Sequence, residues 1–192
     1  KRQDDERTEA QTSLLRGIDR LSRTVTQMLQ LARLEQAPEA PTLVSVDLKE
    51  IVAAEVADLA PGALAKNQEL GLDAPDGSCV LQGRGDALAV MSRNLLDNAI
   101  RYTPQGGRID VSIQDDGPHW LLVIEDNGPG IPEALRQRVW ERFFRPPGLD
   151  EPGSGLGLSI VRQVLDLHRG KASLARGAEG RGLRVEIRLP RA

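Results

Sequence analysis

The chain of 192 residues is 40% apolar, which suffices for one domain with a hydrophobic core and an appendage. Its 25 Lys and Arg against 28 Asp and Glu give a net charge of −3, which argues against nucleic acid as a partner. A single cysteine excludes an internal disulfide, and no apolar run approaches the roughly 18 residues that cross a bilayer. The chain opens on KRQDDERTEAQ, without Met or an apolar signal core, so we expect a piece of a longer protein.

Residues 1–36 are predicted to form one long helix. Apolar residues recur there at steps of four and three, at Leu14, Ile18, Leu21, Val25 and Met28. This heptad spacing is typical of helix-on-helix packing, and one seam needs partner helices to be buried. A helix of this length would run roughly 50 Å at about 1.5 Å per residue. An amphipathic helix that lies on its own domain is the alternative.

Two prolines in residues 37–42 predict a linker, and a separate domain is predicted over 43–192. Asp47 is expected to cap a helix through LKEIVAAEVADLA, which Pro61 and Gly62 should end or kink.

The rest of this domain alternates predicted strands and helices. QELGLDAP and CVLQGR read as short strands, DALAVMSRNLLDNAIRY as a helix, and GRIDVSIQDDGPHWLLVIED as a hairpin that turns at DDGP. Helices are expected around 132–140 and 155–168, followed by a closing hairpin over KASLARGAEGRGLRVEIRLP. We therefore expect an α+β fold, a two-layer sandwich of a mixed sheet with helices on one face, preceded by the long N-terminal helix.

The stretch EDNGPGI (125–131) follows an apolar strand and could bind a flat, polar ligand. Asp126 at the strand end offers a carboxylate that can accept from an exocyclic amine such as that of adenine. Gly128 and Gly130 allow the backbone to approach a ligand closely. An ordinary Asx turn is the alternative.

A second cluster, NLLDNAIRYTP (94–104), places two amides in a helix. Asn94 and Asn98 share a helical face, and amide oxygens suit Mg²⁺, which also takes phosphate oxygens. Arg101 follows by three residues and can reach an anion from the same side. A solvated polar face is the alternative, although Asn is unfavourable in a helix interior.

Two more clusters could meet phosphate. In GSGLGLSIV, the alternating Gly153, Gly155 and Gly157 precede an apolar helix, whose N-terminal N–H groups form an anion site. The pattern is neither a P-loop nor a Rossmann fingerprint, and a flexible loop is the alternative. In WERFFRP, Arg145 could reach phosphate, unless the two phenylalanines merely pack a helix end.

In their order and spacing, NLLDNAIRYTP, EDNGPGI, WERFFRP and GSGLGLSIV resemble the N, G1, F and G2 boxes of sensor histidine kinases. The ATP-binding domain of these kinases is of the type shared with gyrase, heat-shock 90 and mismatch-repair MutL ATPases. GIDRLSRTVTQMLQLARLE resembles the second helix of the family's dimerisation and phosphotransfer domain. This resemblance covers nearly the whole chain.

The resemblance implies a site for ATP and Mg²⁺. Asn98 would hold the metal with Asn94 assisting, Asp126 would accept from the adenine amine, and 132–153 would form a lid. The residues implied at the nucleotide are Asn94, Asn98, Arg101, Tyr102, Asp126, Gly128, Gly130, Ile131, Arg145, Gly153, Gly155, Leu156, Gly157 and Leu158.

The sequence departs from the family in its histidines. His119 lies in a predicted turn, and His168 lies near a helix end, where a cationic ring would suit the helix dipole. Neither fits the phospho-acceptor, so this chain is not expected to autophosphorylate alone. Leu183 also stands where the family often has Thr.

The resemblance implies a kinase that transfers the γ-phosphoryl group of ATP to a histidine on an absent dimerisation helix, for relay to a response regulator. The parent would be a homodimer in the bacterial inner membrane, held there through absent upstream segments, with this part in the cytoplasm. An ATP-driven clamp, an anti-sigma serine kinase and a non-catalytic scaffold are the alternatives.

Overall fold

The computed structural model describes residues 17, 21–22, 24–32, 43–147, 151, 153–178 and 180–191. The strands are β1 (Val44–Asp47), β2 (Glu69–Asp73), β3 (Val80–Gly83), β4 (Arg108–Asp116), β5 (His119–Asp126), β6 (Lys171–Arg176) and β7 (Leu183–Pro190). The helices are α1 (residues 24–32), α2 (Leu48–Ala65), α3 (Gly85–Tyr102) and α4 (Gly157–Leu167).

A mixed sheet in the order β2-β4-β5-β7-β6 forms one layer, and α2, α3 and α4 contribute the other. β2 runs parallel to β4, and the remaining neighbours are antiparallel. β1 and β3 form a separate antiparallel pair. The predicted α+β sandwich is confirmed, and so are both predicted hairpins.

The core lies between the inner face of the sheet and one face of α3. Leu88, Met91 and Leu96 of α3 are fully buried, as are Ile109 and Leu122 of the sheet. Burial of each such side chain contributes about 1.5–3 kcal/mol relative to exposure. The polar residues at the carboxyl-terminal part of α3 are therefore held on a rigid element.

The N-terminus of α2 is capped as predicted, and of the two effects predicted at Pro61, an end or a kink of the helix, the end is wrong. The Oδ1 atom of Asp47 accepts from the N–H of Lys49 at 2.9 Å. The helix continues through Pro61 to Ala65, because Pro61 is exposed and loses only one backbone hydrogen bond. Ala63, 1% exposed, packs inward and holds the last turn on the domain.

His168, just beyond α4, is neutral rather than cationic, so that prediction is wrong. It is 5% exposed; its Nε2 accepts from the N–H of Arg84 at 2.9 Å, and its Nδ1 lies 2.7 Å from the carbonyl of Val164. An N–H can only donate and a carbonyl can only accept, so the proton sits on Nδ1. Burial lowers the pKa of His168, in agreement with a neutral ring.

Residues 132–140, predicted to be helical, contain two short 3₁₀ helices, Glu133–Leu135 and Arg138–Trp140. Pro132 precedes the first of them. Val139 is the only buried residue of the two 3₁₀ helices, so they lack the apolar face that a longer helix needs.

The predicted N-terminal helix is confirmed for residues 24–32. Leu14 and Ile18 of its seam, and the predicted linker 37–42, lie outside the described residues. Leu21, Val25 and Met28 are exposed by 68%, 54% and 45%, whereas Leu31 is buried. No helix in the described part of the chain combines the length and apolar character needed to cross a membrane.

Candidate nucleotide-binding site

A cavity opens between α3, the ends of β5 and β7, and the segment that leads into α4. Among the fourteen residues predicted at the nucleotide, the following line it: Asn98, Arg101, Tyr102, Asp126, Gly130, Ile131, Arg145, Gly153, Gly155, Gly157 and Leu158. Its other walls are largely apolar, from Leu95, Ala99, Ile124, Val139, Leu183 and Val185. The cavity thus offers a largely apolar slot with polar groups at particular points.

Asp126 is a buried carboxylate at one end of this slot. It is 8% exposed, and its Oδ1 accepts from the N–H groups of Gly128 at 2.8 Å and Leu183 at 3.3 Å. Burial raises the pKa of the Asp126 carboxyl, although these two N–H groups act in the opposite direction. Oδ1 is therefore fixed by the backbone, and within the described residues Oδ2 is left to accept from a ligand.

Glycines let the backbone pack tightly behind Asp126. A Cβ on Gly128 would lie 2.7 Å from the carbonyl of Tyr102 and 2.9 Å from Asp126 Oδ1. Gly130 has a φ of +69°, and a Cβ there would collide with the carbonyl of Gly182. Gly128 itself lies behind the cavity wall rather than in it. The Asx turn at Asp126 and the ligand-facing carboxylate therefore coexist, since the turn uses only one oxygen.

The two asparagines of α3 have different environments. Asn98 lines the cavity, and a Cβ on Gly157 would lie 3.4 Å from its Nδ2 and 3.6 Å from its Oδ1. Asn94 is 6% exposed; its Nδ2 donates to the carbonyl of Val90 at 2.7 Å, and its Oδ1 accepts from Gln27 at 3.0 Å. The amide of Asn98 therefore faces the cavity, while that of Asn94 is engaged by α1.

Cationic side chains converge at Gly153. A Cβ there would lie 3.4 Å from Nη1 of Arg101, 3.7 Å from the hydroxyl of Tyr102 and 4.0 Å from Nε of Arg145. Arg145 also donates to the carbonyl of Glu151 at 2.5 Å. This end of the cavity is therefore positively charged, and it lies beside the N-terminus of α4, where N–H groups favour an anion.

The segment that would form the lid is tied down at Gly155. Phe143 has a φ of +62°, and its N–H donates to the carbonyl of Gly155 at 2.9 Å. Gly155 has a φ of +73°, and a Cβ there would lie 2.7 Å from the backbone of Phe143. Arg138 stacks over the ring of Phe144 at 4.3 Å. The positive φ and this close backbone contact restrict position 155 to glycine.

Leu156 does not line the cavity. It is fully buried against Leu31 of α1 and Ile160, on the other side of the loop. Sequence reasoning also missed lining residues: Ile124 and Val185 follow ordinary strand alternation, and Gln27 and Ser154 had no distinguishing signal.

The donor set fits Mg²⁺ held by an amide and phosphates better than a metal held by the protein alone. In the described ranges, no group of three or more His, Cys, Asp or Glu side chains could hold a metal ion. Asn98 makes no hydrogen bond with described residues, so its Oδ1 can serve as a ligand. Together, this cavity and the sandwich define a nucleotide-binding α+β domain.

Comparisons with known proteins agree. The family model for histidine kinase-, DNA gyrase B- and HSP90-like ATPases matches residues 83–192, and the chain belongs to this family. Sensor protein QseC of Salmonella typhi is 38% identical over 174 residues, which are 91% of this chain and 38% of QseC. The chain thus spans less than two fifths of that relative. The predicted resemblance to sensor histidine kinases is confirmed.

Solved structures show the same likeness. The mycobacterial sensor histidine kinase MprB matches with a TM-score of 0.68 and 35% identity, over 77% of this chain and 97% of that one. Full-length ShkA in complex with AMPPNP matches with a TM-score of 0.77 and 25% identity, over 93% of this chain and 37% of that one.

Proposed function

We propose that this chain is the ATP-binding catalytic domain, with part of a dimerisation helix, of a two-component sensor histidine kinase. The kinase transfers the γ-phosphoryl group of ATP to a histidine on another dimerisation helix. The observation that carries the proposal is the placement of polar groups in a largely apolar cavity. A buried carboxylate is held by Gly128 and Leu183, and two arginines and the amide of Asn98 converge near Gly153 and Gly157.

The carboxylate end suits a purine with an exocyclic amine. Asp126 Oδ1 is held by two N–H groups, so Oδ2 accepts from the amine in a fixed direction. Ile124, Leu183 and Val185 supply apolar walls for the base. A guanine carbonyl in the same position would face a carboxylate oxygen, which disfavours it.

The arginine end suits the triphosphate. Arg101, Arg145 and the N-terminus of α4 neutralise phosphate charge, and Asn98 would hold Mg²⁺. Bound there, the metal would neutralise charge on the phosphates and orient them. Phosphoryl transfer depends mainly on such positioning and charge neutralisation, and the acceptor imidazole comes from another segment.

The partners follow from the same family. We propose that a response regulator receives the phosphoryl group and that the parent protein is a homodimer formed through the dimerisation helices. The parent protein would lie in the bacterial inner membrane, with this domain in the cytoplasm. The names of the relatives as sensor proteins support this part.

Calorimetric titration with the ATP mimic AMPPNP, with Mg²⁺ or with EDTA, tests the proposal. Wild-type protein should bind more tightly with Mg²⁺, and Asn98→Ala should lose about tenfold or more of the affinity in Mg²⁺. The titration of Asn98→Ala in EDTA is the control. Without Mg²⁺ its affinity should match that of the wild type in EDTA, because adenine recognition at Asp126 is unchanged. A wild-type affinity that does not depend on Mg²⁺ would favour a non-catalytic scaffold instead.

A further inference from the structure

One side chain of α1, that of Gln27, joins two elements at the phosphate end of the cavity. Its Nε2 donates to Oδ1 of Asn94 in α3 at 3.0 Å. Its Oε1 accepts from the hydroxyl of Ser154, in the loop before α4, at 2.5 Å. The partners of these two hydrogen bonds are separated by 67 and 127 residues in the sequence. The bonds therefore form only when α1 is docked on the domain.

The direction of every hydrogen bond in this network is fixed. The N–H of Leu156 donates to Ser154 Oγ at 3.1 Å, so the hydroxyl proton points to Gln27. The carbonyl of Val90 accepts from Asn94 Nδ2, so Asn94 Oδ1 faces Gln27. The single hydroxyl proton of Ser154 is therefore committed to Gln27 and cannot be donated to a phosphate oxygen at the same time.

Gln27 also stands between two cavities. The nucleotide cavity and a second, polar cavity between α1 and α3 share Gln27, Arg101, Gly153 and Ser154 as wall residues. The second cavity is otherwise lined by Ser22, Thr24, Thr26, Gln30, Arg93, Asn94 and Asp97. Docked α1 thus contributes Gln27 to the wall of the nucleotide cavity beside Arg101 and Gly153, where the phosphates would lie.

An apolar anchor fixes α1 in this position. Leu31, one helical turn after Gln27 and on the same face, is 7% exposed and packs with Leu156 and Ile160. The seam residues Leu21, Val25 and Met28 stay exposed. The face of α1 that carries Gln27 and Leu31 is therefore distinct from the seam, and docking uses a polar and an apolar contact together.

We propose that Gln27 is a positioning residue that withholds Ser154 and Asn94 from the phosphates and their metal while α1 is docked. Binding of Mg²⁺ with a nucleoside triphosphate and docking of α1 then oppose each other, and the opposition is reciprocal. The inference rests on the proposed ATP site. It adds that the helix before the domain controls the phosphate end and leaves the adenine end alone.

The affinity test compares Gln27→Ala with Gln30→Ala in the whole chain. Gln30 lies three residues on in α1 and lines the second cavity, but it makes no hydrogen bond with described residues. In calorimetric titrations, Gln27→Ala should bind Mg–AMPPNP about threefold to tenfold more tightly, since one or two hydrogen bonds no longer have to break. Adenosine affinity should stay within about twofold, and Gln30→Ala should behave as wild type in both titrations.

Amide hydrogen exchange supplies the reciprocal measurement. Adding Mg–AMPPNP to the wild type should speed exchange over residues 24–32, whereas adenosine should leave it unchanged. Slower exchange with Mg–AMPPNP would overturn the inference. So would an unchanged or weaker Mg–AMPPNP affinity in Gln27→Ala, or equal tightening for adenosine and Mg–AMPPNP.

The two proposals fail differently. Wild-type protein that does not bind Mg–AMPPNP would overturn the proposed function and this inference together. Suppose instead that the wild type binds AMPPNP more tightly with Mg²⁺, that this gain in affinity depends on Asn98, and that Gln27→Ala and Gln30→Ala bind Mg–AMPPNP equally well. Then only the role of Gln27 is refuted.

Discussion

Asp126→Asn should weaken nucleotide binding and stabilise the ligand-free domain at the same time. Asn keeps the shape of Asp, and its Oδ1 can still accept from the N–H groups of Gly128 and Leu183. Those two donors hold the amide in one orientation, so its NH₂ group takes the position of Oδ2. The exocyclic amine of adenine then meets a donor instead of an acceptor.

The two effects have separate physical sources. Loss of a hydrogen bond to a charged group costs about 1.5–3 kcal/mol, which corresponds to roughly tenfold to 150-fold in affinity. Stability changes in the other direction because burial raises the pKa of Asp126. With a folded pKa above the unfolded value of about 3.9, the contribution of Asp126 to stability is present below that value and lost as pH rises through the folded pKa. The neutral amide avoids this loss at pH 7.

Calorimetry with Mg–AMPPNP measures the affinity, and thermal unfolding without nucleotide measures the stability. Asp73→Asn is the matched control, since Asp73 also ends a strand but is exposed. We expect weaker binding and a higher melting temperature for Asp126→Asn, and neither change for Asp73→Asn. An affinity within about threefold of wild type, below the cost of a charged hydrogen bond, would refute the assignment of Asp126 to the adenine amine.

Two further predictions concern stability. Gly182→Ala should cost about 2–4 kcal/mol in urea unfolding, because φ is +79° and a Cβ would collide with the carbonyl of Asp126. Gly180→Ala, at φ +74° but in open space, should cost only about 1 kcal/mol; equal losses would contradict the clash. The lowered pKa of His168 means that its stabilisation is present above about pH 6.5 and lost as pH falls below it, by up to about 1.4 kcal/mol per pH unit. His168→Gln should flatten this slope between pH 7.5 and 5.5; a slope unchanged in His168→Gln would exclude the buried ring as its origin.

Local patterns in the sequence were sufficient to predict the features that depend on residues close together in the chain. The cap at Asp47 and the two hairpins follow from short spacings along the chain. Pro61 shows the limit of such reasoning, because its helix-breaking tendency is outweighed by the packing of Ala63 against the rest of the domain. His168 shows the same limit, since only its contact with Arg84, 84 residues earlier, makes a neutral ring necessary.

The sequence by itself determined the family resemblance, the α+β class and the residue types of the site, because motif spacing, strand alternation and glycine placement are written along the chain. Tertiary structure decided which of those residues face the cavity. Asn94 and Asn98 look equivalent at a spacing of four, yet α1 engages only Asn94, through Gln27. Leu156 likewise turns toward Leu31 rather than the cavity. Such contacts depend on how distant elements pack, and no local pattern specifies that packing.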